Sequence, residues 1–269
     1  MSDSYILGRE LPGEETRLLA MSTLLDPIHR RHLRRLGIAP GWRCLEVGAG
    51  NGSMARWLAC QVGPTGMVEA TDIDVGLLAA TQASDSSGAL VVRRLNIVDD
   101  PVEPAAYDLI TARAVLHHIP ARAEALRNIV AALKPGRPLL VLEPDLHPAF
   151  TAPALSPLQT FWDKWLSFAA TKGVDYLLGR RLPDLLDKAG LCDVQAVGET
   201  PLFRGGAGQP GSDIWTLAFD ELRDAMSEFG FSAEELDEFQ AVYRSPGHWL
   251  MDVCWVAAWG YRPPDEEAP

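Results

Sequence analysis

The segment CLEVGAGNGSMARWL, residues 44–58, joins a short apolar run, a glycine-rich turn and a run whose apolar residues recur at helical spacing. This order predicts a strand that ends at Val47, then a turn, then a helix. The third glycine follows the second by two residues, whereas the dinucleotide fingerprint G-x-G-x-x-G places it three residues later. The turn is therefore an imperfect match to a pyrophosphate-binding loop.

The alternation of strand and helix continues along the chain. GMVEATD, LVVRRLN, YDLITA and RPLLVLEPD predict strands, and VGLLAATQ and RAEALRNIVAAL predict helices. Such alternation with short loops predicts an α/β fold, a mostly parallel sheet with helices on both faces. Ahead of it, residues 14–36 show helical periodicity that is interrupted at Asp26 and Pro27, which predicts two leading helices.

Ligands of such sheets bind at the carboxyl ends of the strands. Asp72 stands twenty residues after Gly52, where a carboxylate can accept hydrogen bonds from both hydroxyls of a ribose. A second carboxylate, Glu46, precedes the glycine turn, and it would repel pyrophosphate but favour an ammonium or sulfonium ion. S-adenosylmethionine carries both of these cations and an adenosine, so it fits this set of residues.

Five motifs resemble, in order and spacing, those of class I S-adenosylmethionine-dependent methyltransferases of the small-molecule type found in bacterial biosynthetic pathways: LEVGAGNGS, EATDID, RRLNIVDD, YDLITARAVLHHIP and LKPGRPLLVLEPD. The resemblance covers about residues 40–145, and YILGRELPGEETRL and AWGYR resemble the two ends of such enzymes. It implies a Rossmann-like seven-stranded sheet whose last strand, near CWVAAWG, is antiparallel. One departure is Arg137, where a second glycine is usual.

The resemblance implies that S-adenosylmethionine is the cofactor. It places Asp72 on the ribose, Ile73 and Ile97 against the adenine faces and Asn96 on the adenine amino group, while a helix-cap role for Asp72 and a turn role for Asn96 remain open. Tyr5 is a candidate to cover the sulfonium by a cation–π contact, or it has an ordinary packing role. The predicted cofactor residues are Tyr5, Glu46, Gly48, Ala49, Gly50, Gly52, Asp72, Ile73, Asn96, Ile97, Ala112 and Arg113.

Two insertions carry aromatic residues at helical spacing, one after the fifth strand and one between Pro201 and Trp249. Each face is typical of core packing when taken alone. Together they predict a helical lid over an apolar or aromatic acceptor, with substrate residues Asp145, Trp162, Trp165, Tyr176 and Trp215. The predicted layout is a helical cap (1–40), a cofactor-binding core (41–147), a lid insertion (148–180), more core (181–200), a second lid insertion (201–249), and the last strand and tail (250–269).

A hydroxyl acceptor would need a base, and the candidates are His147 first, then His118 and His117, with Asp145 as a further option. The LHH element is also typical of a purely structural role. If His117 and His118 lie on a helix, their side chains diverge by about a hundred degrees, so at most one faces the ligand.

Composition narrows the possible partners, location and function of the protein. The net charge of −12 argues against nucleic acid as a partner, and four scattered cysteines, an acidic start and the lack of a membrane-length apolar run predict a cytoplasmic protein without membrane contact or a metal site. The predicted function is methyl transfer to O, N or C of a small apolar or aromatic metabolite. A cyclase of the same fold that holds S-adenosylmethionine without transferring methyl is the main alternative. The motifs disfavour a nicotinamide oxidoreductase, and a non-catalytic regulatory binder remains open.

Overall fold

A seven-stranded sheet organises the protein, whose structure is a computed structural model that describes residues 13–83, 85–146 and 156–265. The order is β3-β2-β1-β4-β5-β9-β6, and β9 runs antiparallel to both of its neighbours while the other pairs are parallel. The predicted fold and antiparallel last strand are confirmed. A separate ribbon pairs β7 with β8. The strands are β1 (Arg43–Val47), β2 (Met67–Asp72), β3 (Leu90–Arg94), β4 (Leu109–Arg113), β5 (Pro138–Asp145), β6 (Cys192–Glu199), β7 (Leu202–Arg204), β8 (Trp249–Met251) and β9 (Cys254–Tyr261).

Helices cover both faces of the sheet, so the central strands are apolar on both sides. Every residue of β5 is buried, and its side chains alternate between two apolar clusters: Leu140 and Leu142 join one, Leu139 and Val141 the other. Within the described part of the chain, every helix is too short or too polar to cross a lipid bilayer. The helices are α1 (Glu14–Arg35), α2 (Ser53–Val62), α3 (Leu78–Ala83), α4 (Arg122–Ala132), α5 (Ser156–Thr171), α6 (Leu182–Lys188), α7 (Pro210–Glu221), α8 (Arg223–Phe229) and α9 (Ala233–Arg244).

The two predicted leading helices are one continuous helix, α1, with Pro27 inside it. The prediction of a break was wrong because a proline removes one backbone donor, whereas tertiary contacts hold both sides of it in place. Next to Pro27, the Asp26 carboxylate accepts hydrogen bonds from Arg113 at 2.5 Å and from Ser53 at 3.0 Å. These contacts join the middle of α1 to the ends of β4 and of the glycine turn.

The two insertions pack against each other and share one aromatic core. Trp162 of α5 lies edge-on to Trp215 of α7 with their ring centroids 4.9 Å apart, and Trp165 lies 4.6 Å from Phe219. All four side chains are at most 4 % exposed. The aromatic faces therefore pack against each other and stabilise the helical layer, and their role as the wall of an acceptor pocket stays a prediction.

Asp252 ties this helical layer to the sheet. Its carboxylate is 1 % exposed and accepts hydrogen bonds from the indole nitrogens of Trp215 on α7, at 2.8 Å, and of Trp255 on β9, at 3.0 Å. Burial raises the pKa of Asp252, and the two indole donors oppose that rise. The pair of donors thus compensates a carboxylate that joins two layers of the fold.

We expect Asp252→Ala to lower the free energy of unfolding by about 2–6 kcal/mol, because two buried indole donors lose their acceptor at about 1–3 kcal/mol each. Urea denaturation monitored by circular dichroism measures the change. The control is Asp237→Ala, since Asp237 is 70 % exposed in its ion pair with Arg223 and such a pair contributes less than about 1 kcal/mol. Equal effects of the two substitutions would show that Asp252 does not join the layers as described.

Candidate active site

The glycine turn lies at the carboxyl end of β1, between β2 and the turn that follows β4. Gly48 has a φ of 69°, and a Cβ atom there would lie 2.2 Å from Cγ2 of Val115, so both the backbone angle and the space favour glycine. Gly50 donates its backbone N–H to the Asp72 carboxylate at 3.0 Å. The structure thus brings together the ends of the three central strands, as the sheet rule predicts.

Glu46 presents a buried carboxylate beside this turn. Its side chain is 4 % exposed, and in the part of the chain that the structure describes Oε2 has no hydrogen-bond partner. Burial raises the pKa of Glu46 to about 8; Asp26 and Asp72 raise it further, and Arg113 opposes them. A cationic ligand would supply the missing partner and favour the ionised carboxylate. The orphaned oxygen therefore fits the ammonium or sulfonium group of S-adenosylmethionine.

Asp72 and Ile73 follow β2, where the sequence analysis placed ribose and adenine. Oδ2 of Asp72 accepts from Gly50, Oδ1 accepts from the backbone N–H of Asp74, and the side chain is 9 % exposed. Ile73 is 43 % exposed although it is apolar, which suits a residue that a ring covers. Both roles stay predictions, and Asp72 in addition braces the glycine turn.

Asn96 and Ile97 follow β3. The Asn96 amide donates to Asp99 at 2.7 Å while its oxygen accepts from the backbone N–H of Val98 at 3.1 Å. These contacts match the turn role that the sequence left open, so a contact with adenine would have to use the second lone pair of the oxygen. Ile97 is 3 % exposed within an apolar cluster. Its adenine contact stays a prediction, and only the small exposed part of the Ile97 side chain is available for it.

Ala112 and Arg113 end β4, and the structure revises how they serve the site. Ala112 is fully buried, so it has only its backbone to offer a cofactor. The Arg113 guanidinium binds Asp26 of α1 at 2.5 Å and Ser53 at 3.3 Å. Those bonds make the Arg113 side chain a link between α1 and the glycine turn, and a contact of Arg113 with the cofactor stays a prediction.

Glu143 of β5 holds the turn after β4 by its side chain. Oε1 accepts from the backbone N–H groups of Val115 at 3.0 Å and Leu116 at 2.8 Å, and Oε2 accepts from that of His117 at 3.2 Å. Oε2 also receives the Nδ1–H of the His117 ring at 2.6 Å. Glu143 is fully buried and His117 is 3 % exposed. One carboxylate thus fixes both the backbone of the turn and the orientation of the imidazole.

Burial sets the charge of this pair. It lowers the pKa of His117, with Arg122 and Arg17 acting in the same direction, and it raises the pKa of Glu143 to about 7 against the pull of the three backbone donors. An ionised carboxylate only accepts hydrogen bonds, so the imidazole proton facing Glu143 is on Nδ1 and the lone pair is on Nε2. This is the arrangement of a base whose tautomer is held by a carboxylate.

His117 and His118 lie in a short 3-10 turn, Leu116–His118, rather than at the start of a helix. Their ring centroids are 3.8 Å apart, so the expectation that the two side chains diverge was wrong. On its other side the His117 ring lies 5.2 Å from the ring of Tyr176, a predicted substrate residue. His147, the favoured base of the sequence analysis, and Tyr5 lie outside the described residues and stay predictions.

The predicted substrate residues divide into two groups. Asp145 accepts hydrogen bonds from the Arg180 guanidinium through both carboxylate oxygens at 2.7 Å, which links β5 to the turn before α6, and its substrate contact stays a prediction. The four aromatic candidates all belong to the buried aromatic core: Trp162, Trp165, Tyr176 and Trp215. The Tyr176 ring centroid lies 5.2 Å from that of His117, and the centroids of Trp165 and Trp215 lie 5.6 Å and 6.0 Å from that of Tyr176.

Sequence reasoning gave no role to Glu143 or to the ion pair of Glu14 with Arg17, which is 3 % exposed. Glu143 lies in the predicted strand RPLLVLEPD, but its partner His117 lies 26 residues away along the chain. Glu14 and Arg17 have the spacing of a solvated helix pair. Their burial depends on α7, whose Glu221 accepts the backbone N–H of Gly13 at 2.9 Å.

A family model described as a methyltransferase domain matches residues 19–196, more than half of the chain. The chain belongs to the methyltransferase family. Ubiquinone/menaquinone biosynthesis C-methyltransferase UbiE of Laribacter hongkongensis (strain HLHK9) is 32 % identical over 113 residues, which span 41 % of this chain and 46 % of that relative. The match thus covers less than half of the relative's own length.

Solved structures share the fold. Phosphoethanolamine N-methyltransferase 2 of Haemonchus contortus, in complex with phosphomonomethylethanolamine and S-adenosylhomocysteine, has a TM-score of 0.56 and 18 % identity over 86 % of this methyltransferase and 51 % of that chain. The [4+2]-cyclase SpnF has a TM-score of 0.59 and 17 % identity, covering 89 % and 82 %. The predicted family and fold are confirmed, and so is the cofactor, since the family uses S-adenosylmethionine.

We expect the affinity of the methyltransferase for S-adenosylmethionine to increase with pH up to about 8. Burial raises the pKa of Glu46 to about 8 in the free protein, and a cation at Oε2 lowers it, so binding below that pH must expel a proton and loses up to about tenfold per pH unit. Titration calorimetry in two buffers of different ionisation enthalpy measures how many protons are released when S-adenosylmethionine binds. Glu46→Gln should release none, and equal proton release by both proteins would contradict the placement of Glu46.

We expect Asp72→Ala to weaken S-adenosylmethionine binding by about 1–3 kcal/mol, because the ribose hydroxyls and Gly50 lose their acceptor. Asp74→Ala is the matched control, since Asp74 is the neighbouring carboxylate and accepts from the backbone N–H of Gly76 at 2.9 Å. The dissociation constants of the two folded variants for S-adenosylmethionine measure the two losses of affinity. A larger loss for Asp74→Ala than for Asp72→Ala would reverse the assignment.

Proposed function

We propose that this methyltransferase methylates a small, apolar or aromatic metabolite after its His117–Glu143 pair has taken a proton from the acceptor. The observation that carries the proposal is the 2.6 Å hydrogen bond from Nδ1 of His117 to a carboxylate that is itself fully buried. A ring held in this tautomer has its lone pair on Nε2, and the carboxylate stabilises the imidazolium that forms when Nε2 accepts a proton. His117 therefore takes the role that the sequence analysis gave first to His147.

When bound, S-adenosylmethionine supplies the electrophilic methyl group. The glycine turn, Glu46 and Asp72 would hold it at the ends of β1 and β2, as their geometry allows. The work of this chain's own residues is then to orient the acceptor, to exclude water and to remove the proton. The aromatic layer built by α5, α7 and α9 supports the exclusion of water and the removal of the proton. Its buried rings contact Tyr176, which in turn contacts His117.

The acceptor atom is carbon, nitrogen or oxygen of a molecule that has a removable proton. The relative UbiE is a C-methyltransferase of ubiquinone and menaquinone biosynthesis, which supports carbon as the acceptor atom and a role in biosynthesis. The charge of −12 makes nucleic acid an unfavourable acceptor. All four cysteines are free, which favours a reducing compartment and supports placing the protein in the cytoplasm.

A cyclase that holds S-adenosylmethionine without using its methyl group is the second candidate, because SpnF shares the fold over most of both chains. The His117–Glu143 pair favours methyl transfer, since a proton acceptor with a fixed tautomer suits a reaction that begins by deprotonation. Incubation with methyl-labelled S-adenosylmethionine and extracts of the producing cells separates the two. Label in a small-molecule product supports methyl transfer, and product formation with all label left on the cofactor supports the cyclase.

We expect His117→Ala to reduce turnover about 10²–10⁴-fold, the usual contribution of a general base, while the dissociation constant for S-adenosylmethionine changes little. His248→Ala is the control, since His248 precedes the β7–β8 ribbon strand at Trp249 and takes no part in the site. Single-turnover transfer of labelled methyl measures the chemical step. Activity of His117→Ala within a few-fold of the wild type would remove His117 from the mechanism.

We expect the rate of methyl transfer to increase with pH through about 7, where Glu143 ionises. Below that pH the carboxyl is protonated and no longer stabilises the imidazolium, so the rate falls about tenfold per unit. Glu143→Gln should lower the rate and remove this inflection, because an amide does not titrate. An unchanged inflection in Glu143→Gln would show that another group controls the reaction.

A further inference from the structure

Four buried tryptophans lie in the aromatic layer or on the strand next to it: Trp162, Trp165, Trp215 and Trp255. Three of them have an acceptor for the indole N–H. Trp215 and Trp255 donate to Asp252, and Trp162 donates to the hydroxyl of Tyr243. Trp165 is 1 % exposed, and its Nε1 has no hydrogen-bond partner in the described part of the chain. Buried donors are almost always paired in native proteins, and leaving one unpaired costs about 1–3 kcal/mol.

Trp165 and Trp215 both contact Tyr176, the neighbour of His117, and Trp165 is the one of the two whose indole N–H is unpaired. The ring centroids of Trp165 and Tyr176 are 5.6 Å apart, and those of Tyr176 and His117 are 5.2 Å apart. Trp165 is thus two ring contacts from the imidazole. Trp162, the neighbouring tryptophan of α5, instead contacts Phe239 and Tyr243 deeper in the helical layer.

A donor at some distance from the base distinguishes two kinds of acceptor chemistry. When a hydroxyl loses a proton, the charge stays on the oxygen that faces the base. When a carbon next to a carbonyl loses a proton, the charge moves to the carbonyl oxygen, which needs a donor of its own. A base and a separate buried N–H therefore match a carbon acid better than an alcohol or phenol.

We propose that Trp165 is a specificity-determining residue that donates its indole N–H to the carbonyl oxygen of an enolisable ketone or related carbon acid. This inference rests on the proposed function of the same site. Nε2 of His117 takes the proton from the α-carbon, and the electron pair moves to form an enolate whose oxygen accepts from Trp165. The α-carbon then bonds to the methyl group, the methyl–sulfur bond breaks to leave S-adenosylhomocysteine, and the imidazolium returns its proton to solvent.

The first test uses the protein without any reaction. Benzothienylalanine, a tryptophan isostere with sulfur in place of the N–H, is incorporated at position 165 or, as the matched control, at position 162. The isostere at 165 should leave the melting temperature unchanged because no hydrogen bond is lost, whereas at 162 it should lower it. An equal decrease at both positions would show that Trp165 has a structural acceptor, and that result would overturn the proposal.

The second test follows the indole resonances of protein labelled with ¹⁵N in tryptophan and saturated with S-adenosylhomocysteine. The probes are β-tetralone, phenylacetone and acetylacetone, and tetralin is the analogue of the first without a carbonyl. We expect at least one ketone to move the Trp165 N–H resonance downfield more than any other indole resonance, and tetralin to leave it in place. No selective response to any of the three ketones would overturn the proposal.

Deuterium exchange at the α-carbon of the responding ketone separates the failure of this inference from the failure of the proposed function. Exchange that requires His117 but is unaffected by the isostere at 165 would leave the base in place and overturn the role of Trp165. If exchange falls about tenfold or more with the isostere, corresponding to about 1.4 kcal/mol, the donor acts on the enolate. That result stands even where labelled methyl stays on the cofactor, in which case only methyl transfer fails.

Discussion

The buried Glu143 carboxylate is the group on which the site depends. Three backbone N–H groups of the turn after β4 and the Nδ1–H of His117 converge on its two oxygens. A fully buried carboxylate is stable only when it is compensated in this way. The same bonds therefore stabilise the charge, shape the turn and select the tautomer that leaves the Nε2 lone pair for an acceptor. One set of contacts thus stabilises the fold and holds His117 in the tautomer that the proposed reaction uses.

Two further buried carboxylates connect the layers around that centre. Asp26 of α1 accepts from Arg113 and Ser53, which joins the leading helix to the ends of β4 and the glycine turn. Asp252 accepts from two indoles and so joins the aromatic helical layer to β9. Because α1 also packs along α7, the leading helix and the aromatic helical layer form one continuous unit. A change in either of them is therefore expected to affect the other.

The sequence predicted what local patterns and the sheet rule determine, and it failed where distant contacts decide. Apolar periodicity placed the central strands, and strand ends then selected Glu46 and Asp72. The break at Pro27 was predicted from one missing donor, and the tertiary bonds of Asp26 outweigh it. The pairing of Glu143 with His117 depends on β4 and β5 being neighbours, so no spacing along the chain reveals it. Likewise, burial of Trp162 and Trp215 is set by the packing of two insertions against each other.

The protonation state of His117 tests the central claim most directly. Nitrogen-15 shifts of the imidazole, assigned with a His117→Ala variant, distinguish the two neutral tautomers from the imidazolium between about pH 6 and about pH 8. The account predicts a neutral ring across that range, because burial lowers the pKa of His117, and a proton on Nδ1 above about pH 7, where the ionised Glu143 carboxylate accepts from Nδ1. A ring that titrates near the ordinary value for histidine, or one with its proton on Nε2 above about pH 7, would contradict it.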